Sequence, residues 1–227
     1  MAFRVNSRAL PRARKKIKIQ QDFTDATPFP TLTRPTDAEA REWHTANILE
    51  DLISTILSQS TSGSNSSRAK AGLDTAFGRN NFSAIVDAPL ERVVESIRCG
   101  GLATKKAATI QNLLSAAHER HGSYSLQFLV TETDAAVTQE LLSYDGVGPK
   151  TASCVLSLCL HRESFAVDTH IWRLSKVLGW AHLEHRLPGD LKYGLHVLMM
   201  HHGRTCSGCK KGGAGMCVLK EYVKHRV

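Results

Sequence analysis

Apolar residues recur at the three- and four-residue spacing of an amphipathic helix in two neighbouring segments, 137–142 and 151–160. Both segments are therefore predicted to be helices with one buried face. Across the chain, glycine and proline are sparse, alanine and leucine are frequent, and alternating β-branched residues are scarce. A chain of 227 residues can also bury a substantial core. The fold is predicted to be all-α.

The two predicted helices are separated by a very short glycine-containing segment, 145–148, which reads Asp-Gly-Val-Gly. This length allows only a tight turn. Gly146 and Gly148 can adopt positive φ and place no side chain between the backbone and a ligand. Pro149 suits the first position of the next helix, whose free N–H groups can bind a phosphate oxygen. Such turns are more often plain connections, so both interpretations stay open on the residues alone.

A lysine and an aspartate near this turn are the candidate catalytic pair. Lys150 lies in the first turn of the second helix, and Asp168 follows eighteen residues later in the segment AVDTHIWR. An amine can act as a nucleophile, and a carboxylate can stabilise developing positive charge. Each residue also has a structural interpretation. Lys150 can bind a phosphate, and Asp168 can cap a helix that begins near Thr169.

Four stretches of the chain together resemble one known family. LLSYDGVGPKTASCVL and FAVDTHIWRL closely resemble the helix-hairpin-helix and glycine/proline/aspartate signature of the endonuclease III-like (HhH-GPD) superfamily of DNA glycosylases. LISTILSQSTSG is similar to the family's early helix and DNA-wedging loop, and GGLATKKAATIQNLLSAAHERHGS to its middle helix. The resemblance covers roughly residues 43 to 204. It implies a two-domain helical fold with the active cleft between the domains.

The resemblance implies base-excision repair by a bifunctional DNA N-glycosylase with AP-lyase activity. The neutral amine of Lys150 would attack the sugar C1′, expel a damaged or modified base and leave a Schiff base. Asp168 would take up a proton and offset charge on the sugar. A free lysine titrates at about 10.4, so burial or positive neighbours must lower its pKa. The alternative is a non-catalytic helix-hairpin-helix DNA-binding protein with a degenerate active site.

The family's DNA contacts map onto the hairpin and the wedging loop. The residues that would touch DNA are Gly146, Val147, Gly148, Thr151, Gln59 and Ser60. The family's glutamine or asparagine wedge aligns best with Ser60, and Gly63 stands where an acidic residue is usual, so a plain helix-connecting loop is the alternative. The implied partner is double-stranded DNA with a flipped-out target base, bound by a monomer.

Three cysteines near the C-terminus form an incomplete metal motif. Family members often bind a [4Fe–4S] cluster through four cysteines spaced C-x6-C-x2-C-x5-C, whereas Cys206, Cys209 and Cys217 are spaced C-x2-C-x7-C. Three thiolates do not meet the four-ligand requirement of such a cluster. His201 or His202 can complete a Cys₃His set, which binds structural zinc. We expect the cluster to be lost or replaced by another metal.

The charge distribution favours an anionic partner. The net charge is +8 and the isoelectric point about 9.3, which suits DNA. No apolar run reaches the length of a membrane span, so no membrane partner is expected. Residues 1–37 are predicted to be a disordered, basic arm that contains proline and threonine. Its basic residues resemble a nuclear-import patch, which makes the nucleus the expected location. A mitochondrial transit peptide and a DNA-tethering tail are the alternatives.

The predicted domain organisation follows from the resemblance. One helical domain is expected over residues 64–165, with the helix-hairpin-helix at about 138–160. The second helical domain is expected to combine residues 38–63 with 166–227 and to carry the cysteine-containing loop.

Overall fold

A computed structural model describes residues 47–209, 213 and 215–224 of the chain. The arm predicted for residues 1–37, with its candidate targeting signals, lies outside this part. Within it no strand occurs, and helices alternate with short turns, which confirms the all-α prediction. Among these residues, no helix combines the length and the apolar character that crossing a bilayer requires.

The described α-helices, numbered in chain order, are joined by short connections and four single turns of other helix types. The α-helices are α1 Ile48–Ser58, α2 Gly63–Phe77, α3 Phe82–Val86, α4 Leu90–Ser96, α5 Ala103–His121, α6 Asp134–Leu142, α7 Pro149–Cys154, α8 Thr169–Leu178, α9 Leu183–Arg186, α10 Gly189–Thr205 and α11 Val218–Lys224. The 3₁₀ turns are Arg98–Gly100, Gln127–Val130 and Ser207–Cys209, and Val155–Cys159 is a π-helical turn.

The first hydrophobic core is built by helices α1 to α7 and the π-helical turn. Helix α1 begins with an Asn47 cap, whose side chain accepts a hydrogen bond from the Leu49 N–H at 3.0 Å. Its apolar residues are almost completely buried. Helix α5 is the predicted middle helix, and its buried residues Ile110, Leu113, Leu114 and Ala117 follow the helical spacing of an amphipathic segment. These two helices form the centre of the first core.

A second hydrophobic core lies in the C-terminal part of the chain. Phe165, Ile171, Leu174 and Met199 pack with the two buried thiols Cys209 and Cys217. Helix α8 packs against both α10 and α11. Helix α1 contributes to the first core, although residues 38–63 were assigned to the second domain on the sequence. The domain boundaries stay a prediction.

The helix-turn-helix predicted at 137–160 is present as a hairpin. Helix α6 ends at Leu142, and α7 begins at Pro149. After Cys154 the helical path continues as the π-helical turn Val155–Cys159, so the second predicted helix is a short α-helix followed by a wider turn. The hairpin lies against α1, since both α7 and the π-helical turn pack on that helix.

Candidate active site

The glycine turn of the hairpin is held tightly on one side and is open on the other. Gly146 has φ +83°, and a Cβ atom there would lie 2.6 Å from Thr109 Cγ2 on α5. Gly148 caps α7, and a Cβ atom there would meet no heavy atom within 4 Å. The side chain of Val147 is buried. Of the predicted DNA contacts in the turn, Val147 therefore does not present its side chain to a ligand.

A hydrogen-bonded group at the end of α5 fixes the hairpin from behind. Glu140 Oε1 lies 3.0 Å from His121 Nε2 and accepts a hydrogen bond from the Tyr144 hydroxyl at 2.7 Å. Burial acts to raise the pKa of Glu140, but the hydrogen bonds from Tyr144 and His121 outweigh it and lower the pKa. The ionised carboxylate thus ties α6 and the start of the turn to α5.

Lys150 borders a large cavity beside the hairpin. This cavity has a volume of about 900 Å³ and lies between α6, the first turns of α7 and the segment 163–167. Lys150 and Ser153 line it from α7, and Val167 lines it from the opposite segment. Asp168 directly follows Val167 but is not among the lining residues. The amine therefore has a space beside it that a substrate group can enter.

Asp168 caps helix α8, as its structural interpretation predicted. Its Oδ1 atom accepts a hydrogen bond from the Ile171 N–H at 2.8 Å, and its backbone is extended. The cap fixes the carboxylate at the start of α8. The cap uses Oδ1, one of the two carboxylate oxygens.

His196 on α10 is a buried residue that the sequence pattern does not single out. Its ring is buried, and its Nδ1–H donates to the carbonyl oxygen of Ala166 at 2.8 Å. Burial lowers the pKa of His196; the charge of Asp168 acts to raise it, and that of Lys150 acts to lower it further. Lys150 and Asp168 therefore lie within electrostatic reach of one imidazole. The local sequence signal for this residue is its spacing: His196 lies three positions before Met199, on the buried face of α10.

The wedging loop contacts the hairpin directly. Gln59 Nε2 donates a hydrogen bond to Thr151 Oγ1 at 3.2 Å, and Thr151 is buried. Ser60 is exposed and has φ +51°. The structure thus brings Gln59 and Thr151 together beside Lys150, and leaves Ser60 as the outward residue of the loop. Their contacts with DNA stay predictions.

A second lysine, Lys106 on α5, is more deeply buried than Lys150. Its Nζ donates to the carbonyl oxygens of Leu57 at 2.7 Å and Gly100 at 2.9 Å. Burial lowers the pKa of Lys106. At 3% exposure this amine cannot reach a substrate, and it instead anchors the end of α1, immediately before Gln59.

The three cysteines of the predicted metal motif meet one histidine. The donor atoms of His202, Cys206, Cys209 and Cys217 all lie within 4.8 Å of one another. His202, rather than its neighbour His201, is the histidine that joins them. The arrangement is compatible with a degenerate metal-binding site.

Comparison with known proteins identifies the family of the chain. The family model described as HhH-GPD superfamily base excision DNA repair protein matches residues 53–187. The chain belongs to this superfamily. A solved structure shows the same fold: an endonuclease III–DNA non-covalent complex aligns with a TM-score of 0.64 at 24% identity, covering 82% of this chain and 94% of that one.

Curated relatives include enzymes of more than one kind. Putative DNA glycosylase At3g47830 of Arabidopsis thaliana is 38% identical over 74% of this chain and 60% of its own length. Endonuclease III of Sulfolobus acidocaldarius is 27% identical over 80% of this chain and 83% of its own. DNA glycosylase/AP lyase ROS1 of Arabidopsis thaliana is 34% identical over 59% of this chain, which spans only 9% of that protein. The HhH-GPD chain is thus similar to DNA glycosylases, some of which are named AP lyases.

Proposed function

We propose that this HhH-GPD protein is a bifunctional DNA glycosylase with AP-lyase activity, in which Lys150 forms the Schiff base and Asp168 assists. The observation that carries the proposal is the position of Lys150 at the border of a cavity of about 900 Å³, whose opposite side is lined by Val167, the residue before Asp168. The target nucleotide must leave the duplex before the amine can attack its sugar, so a space beside the amine is needed to receive that nucleotide.

The proposed reaction begins with the neutral amine of Lys150. Its lone pair attacks the sugar C1′, and the bond from C1′ to the base breaks, so that the base leaves with the bonding electrons. Asp168 accepts a proton from the attacking nitrogen and returns it to the ring oxygen O4′ as the C1′–O4′ bond breaks, and the departed base takes a proton from water. The product is a protonated imine between Lys150 and C1′. Loss of a proton from C2′ then expels the 3′ oxygen and cuts the strand. The negative charge of Asp168 also stabilises the positive sugar in the transition state.

The proposed DNA interface surrounds this pair. The open backbone at Gly148 and the first N–H groups beyond it would bind a phosphate, and Ser60, exposed beside Gln59, would enter the duplex. The net charge of +8 supports association with DNA. We further propose that the protein acts as a monomer and is located in the nucleus, with the mitochondrion as the alternative.

Borohydride trapping tests the proposal directly. The wild-type protein, incubated with an abasic duplex and borohydride, should form a covalent adduct, and Lys150→Gln should form none. Lys105→Gln is the matched control, because Lys105 is an exposed lysine on α5. Absence of an adduct from folded wild-type protein that still binds the duplex would favour the non-catalytic DNA-binding alternative.

A panel of duplexes identifies the base that is removed. Each duplex should carry one oxidised pyrimidine, thymine mismatch, modified cytosine or oxidised guanine. Strand cleavage is then measured before and after alkali. Cleavage without alkali indicates lyase activity, whereas cleavage that requires alkali indicates a glycosylase alone. The second outcome would contradict the bifunctional assignment.

A further inference from the structure

Four donor residues at the C-terminal end of the second core point to a metal site outside the proposed reaction. His202 lies in the last turn of α10, Cys206 caps that helix, Cys209 ends the 3₁₀ turn and Cys217 precedes α11. His202 Nε2 lies 3.4 Å from Cys209 Sγ and 3.5 Å from Cys217 Sγ, and the two sulfur atoms are 3.1 Å apart. The end of α10, the 3₁₀ turn and the residue before α11 therefore bring their donor atoms together.

The distances among His202, Cys209 and Cys217 are close to those between the ligands of a single tetrahedral ion. With zinc–sulfur bonds of about 2.3 Å and zinc–nitrogen bonds of about 2.0–2.1 Å, tetrahedral ligand atoms lie about 3.5–3.8 Å apart. The histidine-to-sulfur distances are already close to this range. The two sulfur atoms, 3.1 Å apart, need to separate by roughly 0.7 Å. Thiolate and imidazole donors are also those that zinc prefers.

The same residues do not fit the [4Fe–4S] cluster that the family resemblance implies. A standard cluster takes four cysteine thiolates, each on a different iron. This site offers three cysteines and a histidine, and all four donor atoms lie within 4.8 Å. Ligands bound to the separate corners of a four-iron cluster have to surround the whole cluster, and these four donors leave no room for it.

Around the four donor residues, two backbone segments lie very close together at Gly208. A Cβ atom on Gly208 would lie 2.3 Å from the carbonyl oxygen of Gly215 and 2.9 Å from the Cβ of Cys217. Glycine at 208 therefore lets the segment 206–209 lie against the segment that carries Cys217. Cys209 and Cys217 are each only 4% exposed and belong to the second core. The donors are thus held in position by packing on both sides.

We propose that His202, Cys206, Cys209 and Cys217 bind one zinc ion in place of the iron–sulfur cluster. The ion ties the end of α10 to the start of α11. Both helices pack against α8, whose first residue follows Asp168, so the zinc site stabilises the core that carries this carboxylate. The site takes no part in the chemistry and is independent of the proposed glycosylase activity.

Metal analysis of the full chain tests the site. Protein purified under reducing conditions should contain one zinc per chain, no iron or inorganic sulfide, and no visible absorption. Replacement of the zinc by Co²⁺ should give the intense visible bands of tetrahedral thiolate coordination. Iron with sulfide would overturn the proposal, and so would a Cys209–Cys217 disulfide in the reduced preparation or a failure of the metal-free chain to take up zinc.

Two pairs of variants locate the ligands. His202→Ala should lose zinc, whereas His201→Ala, at the exposed neighbouring position, should keep it. Cys217→Ser should lose zinc, whereas Cys99→Ser, next to the first core, should keep it. His202→Cys should restore binding, since four thiolates also hold zinc. Retention of one zinc by His202→Ala and Cys217→Ser would overturn the ligand assignment.

A stability measurement covers the case in which a ligand variant fails to fold. A chelator added to the wild-type chain should lower its Tm, and added Zn²⁺ should restore it, because an ion that binds only the folded state stabilises that state. An unchanged Tm after complete removal of the metal would overturn the stabilising role.

Discussion

Gln59 and Thr151 form a hydrogen bond of 3.2 Å, in which the side-chain amide donates to the hydroxyl. The two residues are 92 positions apart in the chain, and Thr151 directly follows Lys150. The bond joins the loop after α1 to the first turn of α7. It therefore connects the candidate DNA-wedging loop with the helix that positions the candidate nucleophile.

Replacing Gln59 should affect both stability and the reaction of Lys150. Gln59→Ala leaves the buried Thr151 hydroxyl without this partner, which should lower the free energy of unfolding by about 1–2 kcal/mol. It should also slow borohydride trapping, but less than Lys150→Gln does. Ser58→Ala is the control, since Ser58 is exposed and bonds only within α1 in the described structure.

A double-mutant cycle with Thr151→Val isolates this bond. If the bond carries the effect, the loss in the double variant should be smaller than the sum of the two single losses. Urea unfolding and trapping rates provide the two measurements. Strictly additive losses in both would contradict the positioning role of the pair.

The two roles of Asp168 can be separated by the choice of substitution. Asn is as good a helix cap as Asp, so Asp168→Asn should change the free energy of unfolding by less than about 0.5 kcal/mol. The same change removes the carboxylate, and base excision should fall by about a hundredfold or more. Asp168→Ala should lose activity and, in addition, about 1 kcal/mol of stability.

Single-turnover excision and urea unfolding measure these effects on the same preparations. Glu119→Gln is a suitable control, because Glu119 is an exposed carboxylate on α5 that does not line the cavity beside Lys150. Normal excision by Asp168→Asn would show that Asp168 serves only as a cap.

His196 should make the stability of the second core depend on pH. Burial lowers the pKa of His196 in the folded chain, so the unfolded chain binds a proton more readily below the ordinary value of about 6.5. The free energy of unfolding should consequently fall as the pH drops below that value. At pH 7 both states are mostly neutral at this residue, and this contribution is nearly absent.

His196→Asn tests this dependence, because its side-chain amide can still donate to the carbonyl of Ala166. Urea unfolding at pH 7 and pH 5 should show a smaller acid-induced loss of stability in the variant than in the wild type. Asp168, Lys150 and Arg204 also act on this imidazole, so both proteins should be compared at the same ionic strength. Equal losses would contradict a lowered pKa.

Local patterns in the sequence were sufficient for several features of the site. The turn between α6 and α7, Pro149 at the start of α7 and the Asp168 cap each depend on neighbouring residues, and the structure confirms them. The all-α prediction likewise came from composition and spacing.

Other features depend on contacts between distant segments, which one sequence does not reveal. Lys106 looks like an ordinary surface lysine of an amphipathic helix, yet its amine meets Leu57 and Gly100 in the core. The ring of His196 is held by a hydrogen bond to the carbonyl oxygen of Ala166, thirty positions away in the chain. Which of His201 and His202 lies beside the three cysteines depends on the face that each occupies at the end of α10, and the structure shows that it is His202.

The glycines of the hairpin should separate folding from DNA binding. Gly146→Ala places a Cβ atom at positive φ and 2.6 Å from Thr109 Cγ2, so it should lower the free energy of unfolding by about 1–3 kcal/mol. Thr109→Ala should recover part of this loss in the double variant, because it removes the two atoms that lie closest to the new methyl group. Urea unfolding measures both effects.

Gly148→Ala should cost less stability than Gly146→Ala and should instead weaken DNA binding. Its φ of −98° is open to any residue, and the new methyl group would meet no heavy atom within 4 Å. The main loss of stability should therefore be that of alanine at a helix cap, about 0.5–1 kcal/mol. The methyl group would instead stand where the hairpin backbone is proposed to meet a phosphate. Loss of one hydrogen bond there should weaken binding to an abasic duplex by about 1 kcal/mol, roughly fivefold in Kd. Unchanged affinity at constant salt would show that this side of the turn does not face DNA.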